Sequence, residues 1–234
     1  MKAMVLAAGV GSRLRPLTDS TPKALVEVGG VPMLEHVLRR LEAAGVTDVI
    51  VNAHHHAGQI VDFLAARRGA ARAVVSREDD LLLDTGGGLK KAAAFFDDGR
   101  PFLLHNADVI SDLDLRALHE SHLSSGALVT LAVQDRPTSR ALLFRDGRLI
   151  GRAQGQAPAG TRALGYSCVL AASPALFSVM TESGVFSLTE ACLRLARSGA
   201  DIRGFEWRGY WTDIGDARKL EAARERARRS GLPL

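Results

Sequence analysis

Apolar residues fall into short runs and helical stripes, and the two patterns alternate along the chain. The run at 2–7 is nearly unbroken, ends at Gly9 and reads as a buried strand. At 32–44 the positions Leu34, Val37, Leu38 and Leu41 recur at helical spacing, with Pro32 suited to the first turn and Gly45 to the exit. Strand-like runs return at 49–51, 73–75, 101–105, 127–133, 165–171 and 202–206. Helical stretches lie between them at 57–67, 88–96, 115–124 and 188–197, and a last one runs over 216–229. Arg145-Asp146-Gly147 between 141–144 and 148–150 signals a hairpin. The alternation predicts an α/β fold with a mostly parallel central sheet, helices on both faces and a small antiparallel addition at the hairpin. One stretch, 151–162, reads as a loose loop, and no repeat or linker divides the chain.

Composition narrows the classes. The 234 residues fit a single domain, and a 47% hydrophobic share excludes wholesale disorder. No apolar run is long enough to cross a membrane, and the N-terminus lacks the form of a secretory signal. Two cysteines, Cys168 and Cys192, cannot build a disulfide framework and read as buried filler. A cytoplasmic protein without membrane or nucleic-acid partners is expected. The charge is +4, and its visible excess is the tail Arg218, Lys219, Arg224, Arg226, Arg228 and Arg229. Without interleaved aromatics that tail reads as a solvated helix face.

The candidate chemistry begins after the first strand, at Leu6-Ala7-Ala8-Gly9-Val10-Gly11-Ser12-Arg13-Leu14-Arg15-Pro16. Bare backbone at Gly9 and Gly11 lets N–H groups approach phosphate oxygens. Arg13 and Arg15 add charge, and Thr18-Asp19-Ser20-Thr21-Pro22-Lys23 delivers another cation. Leu14 occupies the third glycine position of a dinucleotide-binding loop, and no P-loop pattern occurs.

The stretch LAAGVGSRLRPLTDSTPKALVEVGG, from Leu6 to Gly30, closely resembles the N-terminal signature of the sugar-phosphate nucleotidyltransferases, and VPMLEHVLRRLEAAGVTDVIVN continues the likeness. The resemblance implies a Rossmann-like nucleotidyltransferase fold. It also implies transfer of a nucleotidyl group from a nucleoside triphosphate to a sugar 1-phosphate, with release of pyrophosphate. Short members that use UTP with N-acetylmuramate 1-phosphate, and some that use GTP with mannose 1-phosphate, carry a stretch most similar to LDTGGGLKKA here. With the chain running to Leu234, one nucleotidyltransferase domain without a C-terminal β-helix domain is expected.

Such chemistry gathers negative charge, which Mg²⁺ on one or two carboxylates offsets. Asn106-Ala107-Asp108 follows an apolar strand, and Asp213 lies in Trp211-Thr212-Asp213-Ile214-Gly215. Both match metal positions of the family, although alanine stands at 107 where glycine is usual. Helix capping is the structural alternative for each. The resemblance makes Arg13 and Lys23 the catalytic cations. It assigns nucleotide contacts to Leu6, Ala7, Ala8, Gly9, Gly11, Ser12, Thr85, Gly86, Gly87 and Asn106, with Glu78 as the acidic partner of the base. Gly86 to Gly88 would offer backbone groups to a flat ligand.

The sugar side is sparser. Gly165 and Glu190 are the candidate sugar contacts, and the family's Glu-Lys-Pro lysine is missing, with Arg152 or Arg162 as possible substitutes. His54-His55-His56 reads as solvated or capping residues, since consecutive histidines cannot share one ion on a regular element. Asp112-Leu113-Asp114 superficially supplies a glycosyltransferase Asp-x-Asp motif, with helix caps as the plainer reading. A nucleotide-sugar-binding protein without catalysis is the third alternative.

Overall fold

The computed structural model describes residues 1–153 and 155–232. Gln154, in the predicted 151–162 loop, and Leu234 lie outside the described residues. The chain begins with β1 (Lys2–Leu6), a two-residue hairpin β2 (Glu27–Val28) and β3 (Val31–Pro32), and helix α1 (Met33–Ala43). Then follow β4 (Asp48–Ala53), α2 (Ala57–Ala66), β5 (Arg72–Arg77), α3 (Asp84–Lys91), β6 (Phe102–Asn106), β7 (Val109–Ser111) and α4 (Leu115–Ser125). The second half adds β8 (Val129–Gln134), β9 (Leu142–Arg145), β10 (Arg148–Arg152), β11 (Arg162–Ala172), α5 (Leu176–Val179), α6 (Leu188–Arg197), β12 (Ile202–Glu206), β13 (Trp211–Asp213) and α7 (Ala217–Ser230).

Nine strands form one sheet in the order β5-β4-β1-β6-β11-β8-β12-β10-β9. The α/β class holds, and β5, β4, β1 and β6 are parallel. The antiparallel part is larger than the hairpin, because β11 runs antiparallel between β6 and β8. A fully apolar run such as 168–172 carries no mark of strand direction, so the pattern could not show this. The Asp146-Gly147 turn is as expected: both residues have positive φ (49° and 75°), the geometry that lets two residues join twisted strands.

Alternation along each strand divides the core. Ala3 and Val5 of β1 pack with Leu34, Leu38 and Leu41 of α1, Ile60 of α2 and Leu118 of α4. Met4 points to the other face, with Leu89 of α3, Leu176 of α5 and Leu193 of α6. Both faces are therefore covered, which is why β1 reads as a continuous apolar run. A third cluster joins Leu14, Val28, Met33, Ile110 and Ile214 to Leu220 and Ala223 of α7, so the last helix packs beneath the glycine-rich loop.

One boundary moves. α3 starts at Asp84 rather than at Gly88. Three glycines weaken a helix intrinsically, but this site needs them for packing, as described below. No helix among the described residues is long and apolar enough to cross a membrane.

Candidate active site

The site follows from the strand order. From β1 the chain moves outward to β4 and β5, then jumps back to β6 on the other side of β1. Where the order reverses, the connections leave the carboxyl ends of two neighbouring strands in opposite directions and open a crevice. In register there, Leu6 pairs with Asn52 on one side and Asn106 on the other. A cleft of about 380 Å³ occupies this point.

Several predicted residues meet in the cleft. Leu6, Ala7, Ala8 and Gly9 form one wall, Asn106 and Asp108 another, and Lys23 and Thr85 close the sides. Ala107 also lines it, and its amide donates to the Leu6 carbonyl (2.9 Å), tying the end of β6 to that of β1. A Cβ at Gly9 would meet nothing within 4 Å, so its bareness is open space for a ligand rather than a packing need. Gly11 serves differently. Its φ is +70°, and a Cβ there would lie 2.9 Å from Thr18 and 3.0 Å from Lys23. Thr18 Oγ1 donates to the Gly11 carbonyl at 2.8 Å. Gly11 thus folds the loop back on itself and brings Lys23 to the cleft. Ser12 and Arg13 are exposed in the short turn that follows, outside the cleft lining.

The two aspartates are brought together by a ladder too short to read from the sequence. β7 and β13 pair antiparallel with Asp213 opposite Val109, and the Ile214 amide donates to the Asp108 carbonyl (2.8 Å). Neither aspartate caps a helix. Asp216, not Asp213, accepts from the Lys219 amide at the start of α7 (2.9 Å), and Asp114 caps α4 through the Ala117 amide (2.9 Å). Asp108 forms an ion pair with Lys23, and Asp213 with Lys219. The inner end of the arginine-rich tail therefore reaches the site, against the reading of that helix as purely solvated. Arg13 lies against Gly215, beside Asp213, because a Cβ on Gly215 would be 3.3 Å from the guanidinium and 3.0 Å from Asp213 Oδ2.

Among the described residues no three His, Cys, Asp or Glu side chains are grouped to share an ion. Asp108 in the cleft lining and Asp213 on the strand paired beside it nonetheless offer hard oxygen donors of the kind that suit Mg²⁺, which retains waters and completes its shell with substrate oxygens. A lysine stands on each carboxylate.

Other assignments change. Glu78 is neither a surface charge nor part of the cleft lining; it is 1% exposed. One oxygen accepts from Asn52 Nδ2 (2.7 Å) and the other from the Leu83 amide (2.9 Å). Asn52 lines the cleft and accepts from the Ala7 amide (2.7 Å), so Glu78 acts by orienting Asn52. Gly86 and Gly87 are buried, and both amides donate to the Phe186 carbonyl (2.9 and 3.3 Å), which leaves no free donor for a base. Their bareness serves close packing: a Cβ would strike Phe186 at 86 and the Gly184 carbonyl at 87. Asp84, at the start of α3, and the loop residues Leu82 and Val185 also line the cleft, and neither a helix end's nor a loop residue's facing can be read from its type.

The sugar candidates lie outside this cleft. Glu190 is exposed and ion-paired with Arg152, while Arg162 is paired with Glu206. Gly165 sits on β11 against the side chain of Arg136. The three histidines are braces. His55 and His56 Nε2 donate to the Thr18 and Asp19 carbonyls (3.2 and 3.0 Å), fixing the loop that carries Lys23. Cys192 is buried filler, but Cys168 stands at an irregularity of β11 with φ 59°. Burial, then Asp108 and Asp213, push its thiol up to about 12, so it stays protonated.

The nucleotidyl transferase family model matches residues 2–142. The chain is 32% identical over 229 residues to the N-acetylmuramate alpha-1-phosphate uridylyltransferase of Neisseria meningitidis serogroup B, covering 95% of this chain and 96% of that one. It is 30% identical to the mannose-1-phosphate guanyltransferase of Schizosaccharomyces pombe, over 92% of this chain but 61% of the relative. The fold is shared with HddC of Yersinia pseudotuberculosis complexed with GMP-PN, at a TM-score of 0.78 and 23% identity over 96% of this chain and 98% of that one. On this match and a cleft at the sheet's switch point, the chain belongs to the nucleotidyl transferase family, among the sugar-phosphate nucleotidyltransferases.

Proposed function

We propose that the protein transfers a nucleotidyl group from UTP or GTP to a sugar 1-phosphate and releases pyrophosphate, with Mg²⁺ as its cofactor. The observation that carries this reading is the meeting of the Leu6–Gly9 wall, Lys23 and Asp108 around one crevice, with Asp213 on the strand paired beside Asp108 and Arg13 next to Asp213 outside the lining. The full-length likeness to a uridylyltransferase favours UTP and an N-acetylated sugar 1-phosphate as the first pair to assay.

The acceptor phosphate is already ionised at neutral pH, so the reaction needs no general base. It needs two polyanions held in line and their charge offset. The backbone at Ala8 and Gly9 would hold the triphosphate, which a side chain at 9 would obstruct. Lys23 would stand at the α-phosphate, exchanging its partner Asp108 for a phosphate oxygen. Arg13 would take charge growing on the departing pyrophosphate. Asn52, fixed by Glu78 and the Ala7 amide, would present a set orientation to the nucleoside. Asp108 and Asp213 would hold Mg²⁺, which supplies further neutralisation of phosphate charge when bound.

The glycosyltransferase reading loses its support, because Asp114 caps α4 and Asp112 accepts from the Tyr210 amide (3.0 Å). The test is pyrophosphate release from UTP and GTP against a panel of sugar 1-phosphates, with and without EDTA. Metal-dependent release with one pair carries the proposal. Nucleotide binding without release across the panel would replace it with a binding protein.

A further inference from the structure

The acceptor phosphate needs a cation, and the candidates named by sequence are engaged elsewhere: Arg152 with Glu190, and Arg162 with Glu206 and Asp135. Lys23 and Lys219 are held by Asp108 and Asp213. Arg136, just past the end of β8, is placed otherwise. Its guanidinium stacks on the Trp211 ring at 3.8 Å. Among the described residues its hydrogen bond is that from Nη2 to the Tyr166 carbonyl (2.8 Å). Nε is buried with no partner. Among the described residues Nη1 donates to no protein group, and it is not sealed from solvent.

This cation stands beside the carboxylates. Trp211 and Asp213 are alternate residues of β13, so their side chains leave the same face about 7 Å apart. Burial lowers the pKa of the guanidinium, and the Asp213 carboxylate acts on it in the opposite direction. Room for the side chain comes from Gly165, where a Cβ would lie 3.0 Å from Arg136 Cγ, Nε and Cζ. A half-buried guanidinium held flat by an indole, with no carboxylate among the described residues bound to it, is built to take an external oxyanion. A phosphate fits best, because the planar fork matches its oxygens.

We propose that Arg136 receives the phosphate of the acceptor sugar 1-phosphate, and that Gly165 is glycine in order to admit it. The assignment rests on the transfer reaction proposed above for the identity of its ligand. It gives the sugar side the cation that the missing Glu-Lys-Pro lysine leaves unsupplied.

The test separates the two substrates and has a readout besides turnover. Binding of N-acetylmuramate 1-phosphate, glucose 1-phosphate and mannose 1-phosphate is measured by calorimetry on the wild-type chain, Arg136→Ala, Arg136→Lys and Gly165→Ala. Thermal denaturation of each variant checks the fold. The expected result is at least about a tenfold loss of sugar-phosphate affinity in Arg136→Ala. A partial loss is expected in Arg136→Lys and Gly165→Ala, with nucleoside triphosphate affinity changed less than about twofold. Where turnover is seen, the KM for the sugar 1-phosphate rises likewise and that for the triphosphate does not. Equal binding by folded Arg136→Ala or Arg136→Lys overturns the assignment, as does a loss shared equally by the triphosphate. So does a wild-type chain that binds none of the three. Arg136-dependent binding without pyrophosphate release overturns the transfer reaction and leaves Arg136 as a phosphate site.

Discussion

Asp108 carries two loads at once, an ion pair with Lys23 and a share of the proposed metal. Replacing it by asparagine keeps the shape and removes the charge. The expected outcome is a fall in kcat of at least about 100-fold, the scale seen when a placed electrostatic group is lost. Circular dichroism should show an unchanged fold, and near-full pyrophosphate release by Asp108→Asn would remove that residue from the metal site. Gly88 shows the opposite constraint, that of space. A Cβ there would sit 2.7 Å from both Asn52 Nδ2 and Glu78 Oε1, a pair of buried groups with no slack. Gly88→Ala should cost about 1–3 kcal/mol by overpacking. Thermal denaturation reads that cost, and a raised triphosphate KM with little change in kcat would show Asn52 displaced.

At the scale of elements, the capping of α7 matters beyond its helix. Asp216 accepts from the Lys219 amide and so fixes the turn from which Lys219 reaches Asp213. Asp216→Ala should lower stability through loss of the helix cap, read as a lower urea midpoint. Its effect on metal affinity should exceed that of an exposed substitution such as Arg228→Ala at the other end of the helix. The same element shows what the sequence could and could not disclose. The glycine-rich loop was legible because Gly9, Gly11 and Lys23 are close in the chain and their chemistry is local. The ladder joining β7 to β13 was not, since three residues on each side carry no periodicity and their pairing spans half the chain. The close packing of Gly86 and Gly87 was not legible for a related reason. A glycine admits a ligand or a neighbouring chain equally well, and only the Phe186 carbonyl decides between them.

For the whole molecule, two buried histidines set a dependence on pH. His105 and His122 are both held down to about 4, chiefly by burial, against an ordinary value of 6.5. His122 shares a hydrogen bond with Thr130 Oγ1 (2.9 Å). Since their folded-state values are lowered, the unfolded chain binds more protons between pH 4 and 6.5, and stability falls as pH falls through that window. Each contributes a slope of up to about 1.4 kcal/mol per pH unit. Urea midpoints at pH 7, 6 and 5 should decline in step, and His122→Gln should flatten the decline. A midpoint independent of pH over this range would mean that both histidines ionise freely in the native protein.

The short β7–β13 ladder also imposes a timetable on the newborn chain. Asp108 leaves the ribosome about 105 residues before Asp213, a lag of roughly 5–20 s at common synthesis rates. Through that interval the first carboxylate stands without the strand that carries the second, and Leu14 of the glycine-rich loop lacks its Ile214, Leu220 and Ala223 neighbours. The pairing of Asp213 with Val109 waits for the arrival of Trp211–Asp213, so the short ladder is among the last parts of the sheet system to close.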